Sequence, residues 1–264
     1  MIKVLSLGAG VQSTTLALMA ANGEFDAPPD AAIFADTGDE PEEVYRHLEW
    51  LQNQKLPFPI HITSRGVLSQ DFLAGVAEAQ PPLTVLKKDG RGMLNRQCTR
   101  NYKIYPVTRK IREICGKGPR SSMPANSAEV WIGISIDEIF RMKPSRVNYL
   151  VNRHPLIEKR MSRQDCLKWL EQRGYPRPPK SSCWHCPYQS IAQWRDKKDN
   201  QPEEWEKAVN FDKAIRNSMD GKLKDAPAFI HTSGIPLDQV DLSTAEDHGQ
   251  IDMFNNECEG MCGV

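Results

Sequence analysis

A glycine-rich segment near the start of the chain joins an apolar run to a helix-forming run. The apolar run begins at Ile2 and has the length of a short buried strand, residues 8–13 are mostly small, and residues 16–19 begin a helical pattern. We expect Ser13 and Thr14 to cap that helix. Backbone amides, hydroxyl groups and a helix N-terminus together favour an anion. The segment therefore predicts either a phosphate-binding loop or an ordinary tight strand-to-helix turn.

Strand-like and helix-like patterns alternate after this segment. Residues 31–35, 60–62 and 130–134 are short apolar runs, and a helical pattern between the first two places Val44, Leu48 and Leu51 on one face. This alternation predicts an α/β fold with a Rossmann-like, doubly wound parallel sheet. Ligands of such sheets bind beyond the carboxyl ends of the strands. We therefore expect the loop at 8–13 and the turn at 36–38 to converge on one site.

The chain divides by composition into two parts. Residues 1–150 carry the alternating pattern and are predicted to form the α/β core. Residues 151–264 contain helical patterns and most of the cysteines, and are predicted to form a mostly helical extension packed on that core. No run approaches the ~18 apolar residues of a membrane span. No cleavable leader precedes the first strand, so we expect no membrane partner and a cytoplasmic location.

Charge is distributed unevenly although the 34 basic and 34 acidic residues cancel. Residues 87–120 contain eleven Lys and Arg against two acids, and residues 141–198 contain fourteen against four. Such segments form either a solvated mixed surface or a basic face for nucleotide phosphates or a nucleic-acid backbone. Residues 96–103 are predicted to be a basic loop, in which Lys103 is a candidate phosphate contact.

The seven cysteines favour metal or redox chemistry over a disulfide framework. Cys115 and Cys166 lie on apolar helical faces and are predicted core residues. Cys183 and Cys186 form a Cys-x-x-Cys segment, and two thiolates at this spacing can share a zinc ion or the iron of a cluster. Further ligands are required, and the candidates are Cys98, Cys258 and Cys262, with His185 weaker.

Several of these segments resemble one known family. Gly8-Ala9-Gly10-Val11-Gln12-Ser13 is similar to the Ser-Gly-Gly-x-Asp-Ser signature of PP-loop ATP pyrophosphatases, the adenine nucleotide alpha-hydrolase group, with Gly8 in place of serine and Gln12 in place of aspartate. Asp36-Thr37-Gly38 resembles the turn after the second strand in phosphoadenosine phosphosulfate (PAPS) reductases. Gly133, Glu138 and Arg141 match that family's Gly-Ile-Arg-x-x-Glu-Ser-x-x-Arg stretch, with Ser135 in place of the first arginine. Residues 155–170 resemble its next helical segment.

The resemblance implies an adenine nucleotide alpha-hydrolase-like α/β fold, in which residues 1–150 are the nucleotide-binding core, and a set of site residues. The implied catalytic residues are Ser13, Asp36, Arg141 and Cys258. Together with Lys103, the predicted nucleotide contacts are Ser6, Gly8, Ala9, Gly10, Gln12, Ser13, Thr14, Asp36, Thr37, Gly38, Gly133 and Glu138. The implied cofactors are ATP or PAPS with Mg²⁺. The cysteines themselves predict a [4Fe–4S] cluster or Zn²⁺ on Cys98, Cys183, Cys186, Cys258 and Cys262.

Three functions follow from this combination. The first is ATP-dependent adenylation of an acceptor, with release of pyrophosphate and then AMP as sulfur is transferred; the acceptor is tRNA or DNA and a sulfur donor is required. The second is reduction of a sulfonucleotide, with Cys258 as the nucleophile and a thioredoxin-like reductant. The third is a zinc-containing protein that binds nucleotide or nucleic acid without catalysis.

Overall fold

The computed structural model describes residues 1–88, 90–218, 226–244 and 247 of the 264-residue chain. It forms two compact units, the first containing residues 1–65 and 102–181 and the second containing residues 66–101 and the described residues from 182 onward. In chain order the elements are β1 (Ile2–Leu7), α1 (Val11–Ala21), β2 (Ala31–Asp36), α2 (Glu42–Gln52), β3 (Ile60–Ser64), α3 (Leu68–Leu73), β4 (Thr84–Lys87), β5 (Gly90–Met93), α4 (Tyr105–Ile114), β6 (Ala128–Ile132), β7 (Leu150–Arg153), α5 (Pro155–Glu158), α6 (Arg163–Gln172), α7 (Ile191–Asn200), α8 (Pro202–Ile215) and β8 (Ala228–Phe229). Short 3-10 helices lie at Ala77–Ala79, Ile136–Arg141 and Leu237–Gln239, and a π-helical turn at Thr99–Ile104 leads into α4.

The first unit is built on a five-stranded parallel sheet in the order β3-β2-β1-β6-β7. Apolar residues of the central strand β1, including Val4 and Leu5, are fully buried, as the apolar runs predicted. The chain passes from β1 to β2 and β3 on one side, and then to β6 and β7 on the other. This reversal is the doubly wound arrangement, so the predicted α/β fold class is confirmed.

Helix α1 begins earlier than its hydroxyl residues suggested. Gly10 is the N-cap residue, with φ −92° and ψ −178°, and its carbonyl oxygen accepts from the amide of Thr14 at 3.0 Å. Ser13 and Thr14 lie inside the first turns, and α1 has no side-chain capping bond. The prediction that they cap α1 is therefore wrong, because the glycine supplies the extended backbone from which the helix starts.

Helices α5 and α6 belong to the same core as the sheet. Leu156, Cys166, Trp169 and Leu170 pack in one buried cluster with residues of β1, β2 and α1. Ser162 begins α6 with a capping box, since its hydroxyl accepts from the amide of Asp165. The predicted division after residue 150 thus differs from the compact unit, which extends through residue 181, because the apolar face of α6 completes the core beside α1.

The second unit combines helices α3, α7 and α8 with a three-stranded antiparallel sheet in the order β5-β4-β8. The Phe72 and Phe211 rings lie 6.3 Å apart and join α3 to α8. The buried carboxylate of Asp212 accepts from the amides of Ile230 and Leu237, and so ties the segment after α8 to that helix. Among the described helices, none has both the length and the apolar character needed to cross a membrane.

Candidate functional site

The loops after the adjacent strands β1 and β6 meet at the carboxyl edge of the parallel sheet. A Cβ atom on Gly133, just after β6, would lie 2.9 Å from the amide nitrogen of Ser13 and 3.2 Å from the carbonyl carbon of Gln12. No L side chain fits there unless the backbone moves. Gly133 is therefore required for the approach of the two loops at the point where the strand order reverses, the usual ligand position in such sheets.

Hydrogen bonds through Ser13 shape the predicted phosphate loop. The hydroxyl of Ser13 accepts from the amide of Gly8 at 3.2 Å and donates to the carbonyl oxygen of Gly10 at 3.3 Å. Ala9 between them has a left-handed φ of 56°, which is unusual for a residue with a side chain. Amides 11–13 lie in the first turn of α1, where N–H groups have no acceptor within the helix. The loop can therefore present several donors to an anion.

The two loop glycines differ from Gly133 in their surroundings. A Cβ on Gly10 would lie 3.5 Å from Cβ of Ser181, and one on Gly8 would lie 3.7 Å from the Ser181 hydroxyl, both ordinary contacts. The packing of the first unit thus leaves room for a methyl group at either position. Ser181 adds a hydroxyl beside the loop, and no pattern in the sequence pointed to it.

Gln12, which stands where the resembling family has aspartate, connects the loop to the segment after β6. Its side-chain amide donates to a Glu138 carboxylate oxygen at 3.1 Å and to the hydroxyl of Ser135 at 3.4 Å. The other carboxylate oxygen of Glu138 accepts from the guanidinium of Arg141. Burial raises the pKa of Glu138, while the charge and hydrogen bond of Arg141 oppose that shift. Gln12, Glu138 and Arg141 thus form a continuous polar chain.

The predicted turn after β2 is held by its own aspartate. Asp36 accepts from the amide of Gly38 and from the hydroxyl of Tyr45, both at 2.8 Å. Gly38 has a φ of 73°, and Thr37 is almost fully buried. Burial first, and then the hydrogen bond to Asp36, raise the pKa of Tyr45. In this structure Asp36 shapes the turn, and its predicted contact with a nucleotide or metal stays a prediction.

Lys103 lies against a carboxylate of the same turn region. Its ammonium is 2.9 Å from Glu40, whose side chain is only 1% exposed. Two other basic residues of the following helix, Arg109 and Lys110, pair with Glu113 on its outer face. The basic segment around Lys103 is thus partly neutralised by acids, and Lys103 is the one of these three that the structure connects to the segment after β2.

Two remaining predicted contacts lie in or beneath the loop. Ser6 is a residue of β1, paired in register with Ile33 and Ile132. Thr14 is fully buried, and its hydroxyl forms a 3.1 Å hydrogen bond with Nε2 of His47 from α2. Burial lowers the pKa of His47 to about 4, so the ring is neutral near pH 7. Sequence reasoning placed Val44 and Leu48 on the core face but missed His47, which shares that face.

The candidate metal ligands lie in the second unit or outside the described residues. Cys183 and Cys186 are buried in one turn, in which the amide of Cys186 donates to the carbonyl oxygen of Cys183 at 2.9 Å. Beside this turn, Tyr188 lies 3.6 Å from the sulfur of Met93 and beneath the guanidinium of Arg96. Cys98 therefore belongs to a segment that approaches the turn of Cys183 and Cys186, called the knuckle below. Cys258 and Cys262 fall outside the described residues.

In the described part of the chain, no three or more His, Cys, Asp or Glu side chains gather closely enough to hold a metal ion. Zinc and iron–sulfur sites take three or four protein ligands. Two thiols of one turn are fewer than that, so the described residues alone do not assemble the predicted [4Fe–4S] or Zn²⁺ site. The predicted Mg²⁺, which needs only one or two carboxylates beside the phosphates, stays a prediction.

Comparisons with known proteins gave the following results. No protein-family model matches the chain, and no curated protein sequence matches it. The phosphate complex of a phosphoadenylyl-sulfate (PAPS) reductase from Candida auris is similar over 70% of this chain and 82% of that one, with 12% identity and a TM-score of 0.45. The U34-tRNA thiolase NcsA from Methanococcus maripaludis, with its [4Fe-4S] cluster, is similar over 80% of this chain and 71% of that one, with 12% identity and a TM-score of 0.39. The chain is thus similar to a PAPS reductase, the family that its motifs resemble, and to a tRNA thiolase.

Proposed function

We propose that this protein is an enzyme that adenylates an oxygen of a nucleic-acid acceptor and then allows sulfur to replace that oxygen. In the first step the acceptor oxygen attacks the α-phosphorus of ATP, an O–P bond forms, the α–β phosphoanhydride bond breaks, and pyrophosphate leaves. In the second step a sulfur nucleophile attacks the activated carbon and AMP leaves with the oxygen. The sulfur comes from a separate donor.

The observation that carries this proposal is the approach of Gly133 to the amide of Ser13. It brings the loop after β1 against the segment after β6, at the edge where doubly wound sheets bind their ligands. First-turn amides supply neutral donors there, and the hydroxyl of Ser13 holds the loop in place through Gly8 and Gly10. A polyphosphate is the ligand that such a loop favours, because it can accept several hydrogen bonds from backbone groups at once.

The polar chain behind the loop supports a role in phosphoryl chemistry. Arg141 bears a positive charge, and Glu138 positions it through an ion pair that Gln12 also reaches. A guanidinium can bind two phosphate oxygens at once and so offset charge that develops during transfer. Asp36, at the end of the neighbouring strand β2, is the candidate contact for the nucleotide.

Basic segments and cysteines support the choice of acceptor and donor. The fourteen basic residues within 141–198 carry the positive charge that complements the negative backbone of a nucleic acid. Cys183 and Cys186 are thiols that can take the outer sulfur of a persulfide donor, which is released as a thiol, and one of the solved structures similar to this chain is a tRNA thiolase. ATP-dependent thiolation of a nucleic acid combines these features in one reaction.

Nucleotide binding is the first test. Titration calorimetry with ATP should give binding by the wild type and at least a tenfold loss in Gly133→Ala, since the added methyl group displaces the Ser13 amide. Gly118→Ala is the matched control: its Cβ would meet only the Ser121 hydroxyl at 3.5 Å. Equal ATP affinity in Gly133→Ala and the wild type would contradict the proposed site.

Turnover is the second test. AMP and pyrophosphate should appear together only when tRNA or DNA and a sulfur donor are present, and the double variant Ser13→Ala with Arg141→Ala should abolish their release. Sulfite formation from PAPS without ATP would instead establish sulfonucleotide reduction. Iron, sulfide and zinc analysis of anaerobically purified full-length protein, before and after Cys183→Ser, determines whether this cysteine holds a metal.

A further inference from the structure

We infer that the segment following β6, residues 136–146, is a surface for single-stranded nucleic acid on which Phe140 stacks against an unpaired base. The inference rests on the proposed function, because it assigns the part of that site that receives the acceptor. The partner is a single strand with accessible bases.

The apolar side chains of this segment are exposed. Ile136 is 39% exposed, Ile139 54%, Phe140 70% and Met142 41%, and no residue of the 3-10 helix Ile136–Arg141 is buried. Single exposed apolar residues are common on protein surfaces, but four within seven residues form a patch of the kind that marks an interaction site. Within the described part of the chain, this helix contributes no side chain to a core. Its apolar composition therefore indicates a partner.

The charges around the patch are positive. Lys143 and Arg146 are exposed directly after it, and no acid occurs between residues 139 and 157. The amide of Ile136 donates to the carbonyl oxygen of Met161 at 3.0 Å, so the turn that carries the exposed Arg160 lies beside the segment. Basic side chains around an exposed aromatic ring are the combination that binds single strands, since the charges follow the backbone and the ring stacks on a base.

The two acids within the segment are already engaged. Asp137 accepts from the amide of Arg163 at 3.1 and 3.2 Å, and Glu138 pairs with Arg141 and accepts from Gln12. The charge of Glu138 is therefore paired with Arg141, and the exposed carboxylate of Asp137 is held at the first residue of α6. The Phe140 face remains apolar with a basic rim, which favours a base over a cationic or acidic peptide.

The segment is joined directly to the phosphate loop. Gln12 contacts both Ser135 and Glu138, the residues that begin and support the 136–141 turn. A base held on Phe140 would thus be close to the loop that is proposed to bind ATP. The acceptor should be single-stranded, because stacking on Phe140 needs a base whose face is not covered by its neighbours.

Fluorescence anisotropy with a single-stranded RNA, a DNA of the same sequence and the corresponding duplexes tests this inference in the full-length protein. The wild type should prefer the single strands. Phe140→Ala should weaken single-strand binding about 5- to 150-fold, the range expected from losing one stacked base. Phe140→Tyr should keep the wild-type affinity for single strands, and Phe140→Leu should lose it as Phe140→Ala does. Ile62→Ala, which removes a 51% exposed side chain from β3 of the same unit, is the matched control and should bind as the wild type does.

The salt dependence tests the basic rim separately. The slope of log Kobs against log[salt] is negative, and each phosphate contact to a single strand contributes about −0.7 to it. The double variant Lys143→Ala with Arg146→Ala should therefore make the slope shallower by about 1.4. The control pair Lys55→Ala with Lys168→Ala removes two exposed charges of the same unit outside the segment, and should leave the slope unchanged.

Three results would overturn the inference: single-strand affinity unchanged in Phe140→Ala, equal affinity in Phe140→Leu and Phe140→Tyr, or Phe140-dependent binding to phosphatidylserine vesicles without binding to oligonucleotides. Titration with ATP separates the two proposals. If Phe140→Ala binds ATP normally and oligonucleotides normally, only this inference fails. If the wild type binds no ATP but its oligonucleotide binding depends on Phe140, the proposed function fails and this surface stands.

Discussion

The side-chain amide of Gln12 donates a hydrogen bond of 3.1 Å to Glu138, a residue 126 positions later in the chain. One end of this bond lies in the first turn of α1 and the other lies after β6. An aspartate at position 12, as in the family that the loop resembles, would place a second negative charge toward Glu138. The glutamine allows the partly buried carboxylate of Glu138 to keep both a hydrogen bond and its ion pair with Arg141.

Gln12→Glu should therefore destabilise the protein in a pH-dependent way. Burial already raises the pKa of Glu138, and a second carboxylate would raise it further. A carboxyl group whose folded pKa is raised contributes stability at low pH and loses it as the pH rises through that pKa. We expect Gln12→Glu to lower the free energy of unfolding by about 1–3 kcal/mol at pH 8 and by less at pH 5, as measured by urea denaturation. Gln52→Glu, at the exposed end of α2, is the control; an equal loss at both pH values would contradict this account.

His47 should make the first unit sensitive to acid. Burial lowers its pKa to about 4 from the usual 6.5, so the folded state resists protonation that the unfolded chain accepts. Stability is then fully present above pH 6.5 and falls as the pH drops toward 4, by up to about 3 kcal/mol. Urea denaturation from pH 7 to 4 should show a smaller decline in His47→Gln than in the wild type. His61→Gln, on β3, is the control and should show the same decline in the free energy of unfolding as the wild type. If His47→Gln also declined as the wild type does, His47 would not be the cause of the acid sensitivity.

Gly10→Ala should separate ligand binding from folding. A Cβ at this position would make only ordinary contacts, the nearest at 3.5 Å, and its φ of −92° suits any residue. We expect the free energy of unfolding to change by less than about 0.5 kcal/mol. ATP affinity should fall at least tenfold, because a methyl group keeps a phosphate away from the backbone. A large loss of stability, or unchanged ATP affinity in titration calorimetry, would refute this role for Gly10.

Lys197→Met should destabilise the second unit. The ammonium of Lys197 is buried, donates to the carbonyl oxygen of Trp184 between the two knuckle cysteines at 3.0 Å, and lies 3.3 Å from Glu204. Its removal leaves those groups without that partner, at an expected cost of about 3 kcal/mol in guanidinium denaturation. Lys198→Met, the exposed neighbour on α7, should cost less than about 0.5 kcal/mol. Equal effects of the two substitutions would mean that the buried ion pair does not support the knuckle.

The division into units shows where composition was an incomplete guide. The cysteine-rich second half suggested a boundary after residue 150, but α6 carries Cys166, Trp169 and Leu170 on one face and packs beside α1. Conversely, residues 66–101 contain strands β4 and β5. Strand β4 pairs with β5 and also with β8, which follows more than a hundred residues later. Antiparallel pairing between distant strands has no signal within either strand alone.

By itself, the sequence determined the main strands of the parallel sheet and their order along the chain, because burial periodicity and glycine placement act over a few neighbouring residues. The strands at Ile2–Leu7 and Ala31–Asp36 and the apolar face of α2 were all predictable in this way. Only the tertiary structure decided that Gly133 touches Ser13, that Gln12 reaches Glu138 and that His47 supports Thr14. Those contacts depend on which strands become neighbours in the sheet, and that choice is made by the packing of the whole core.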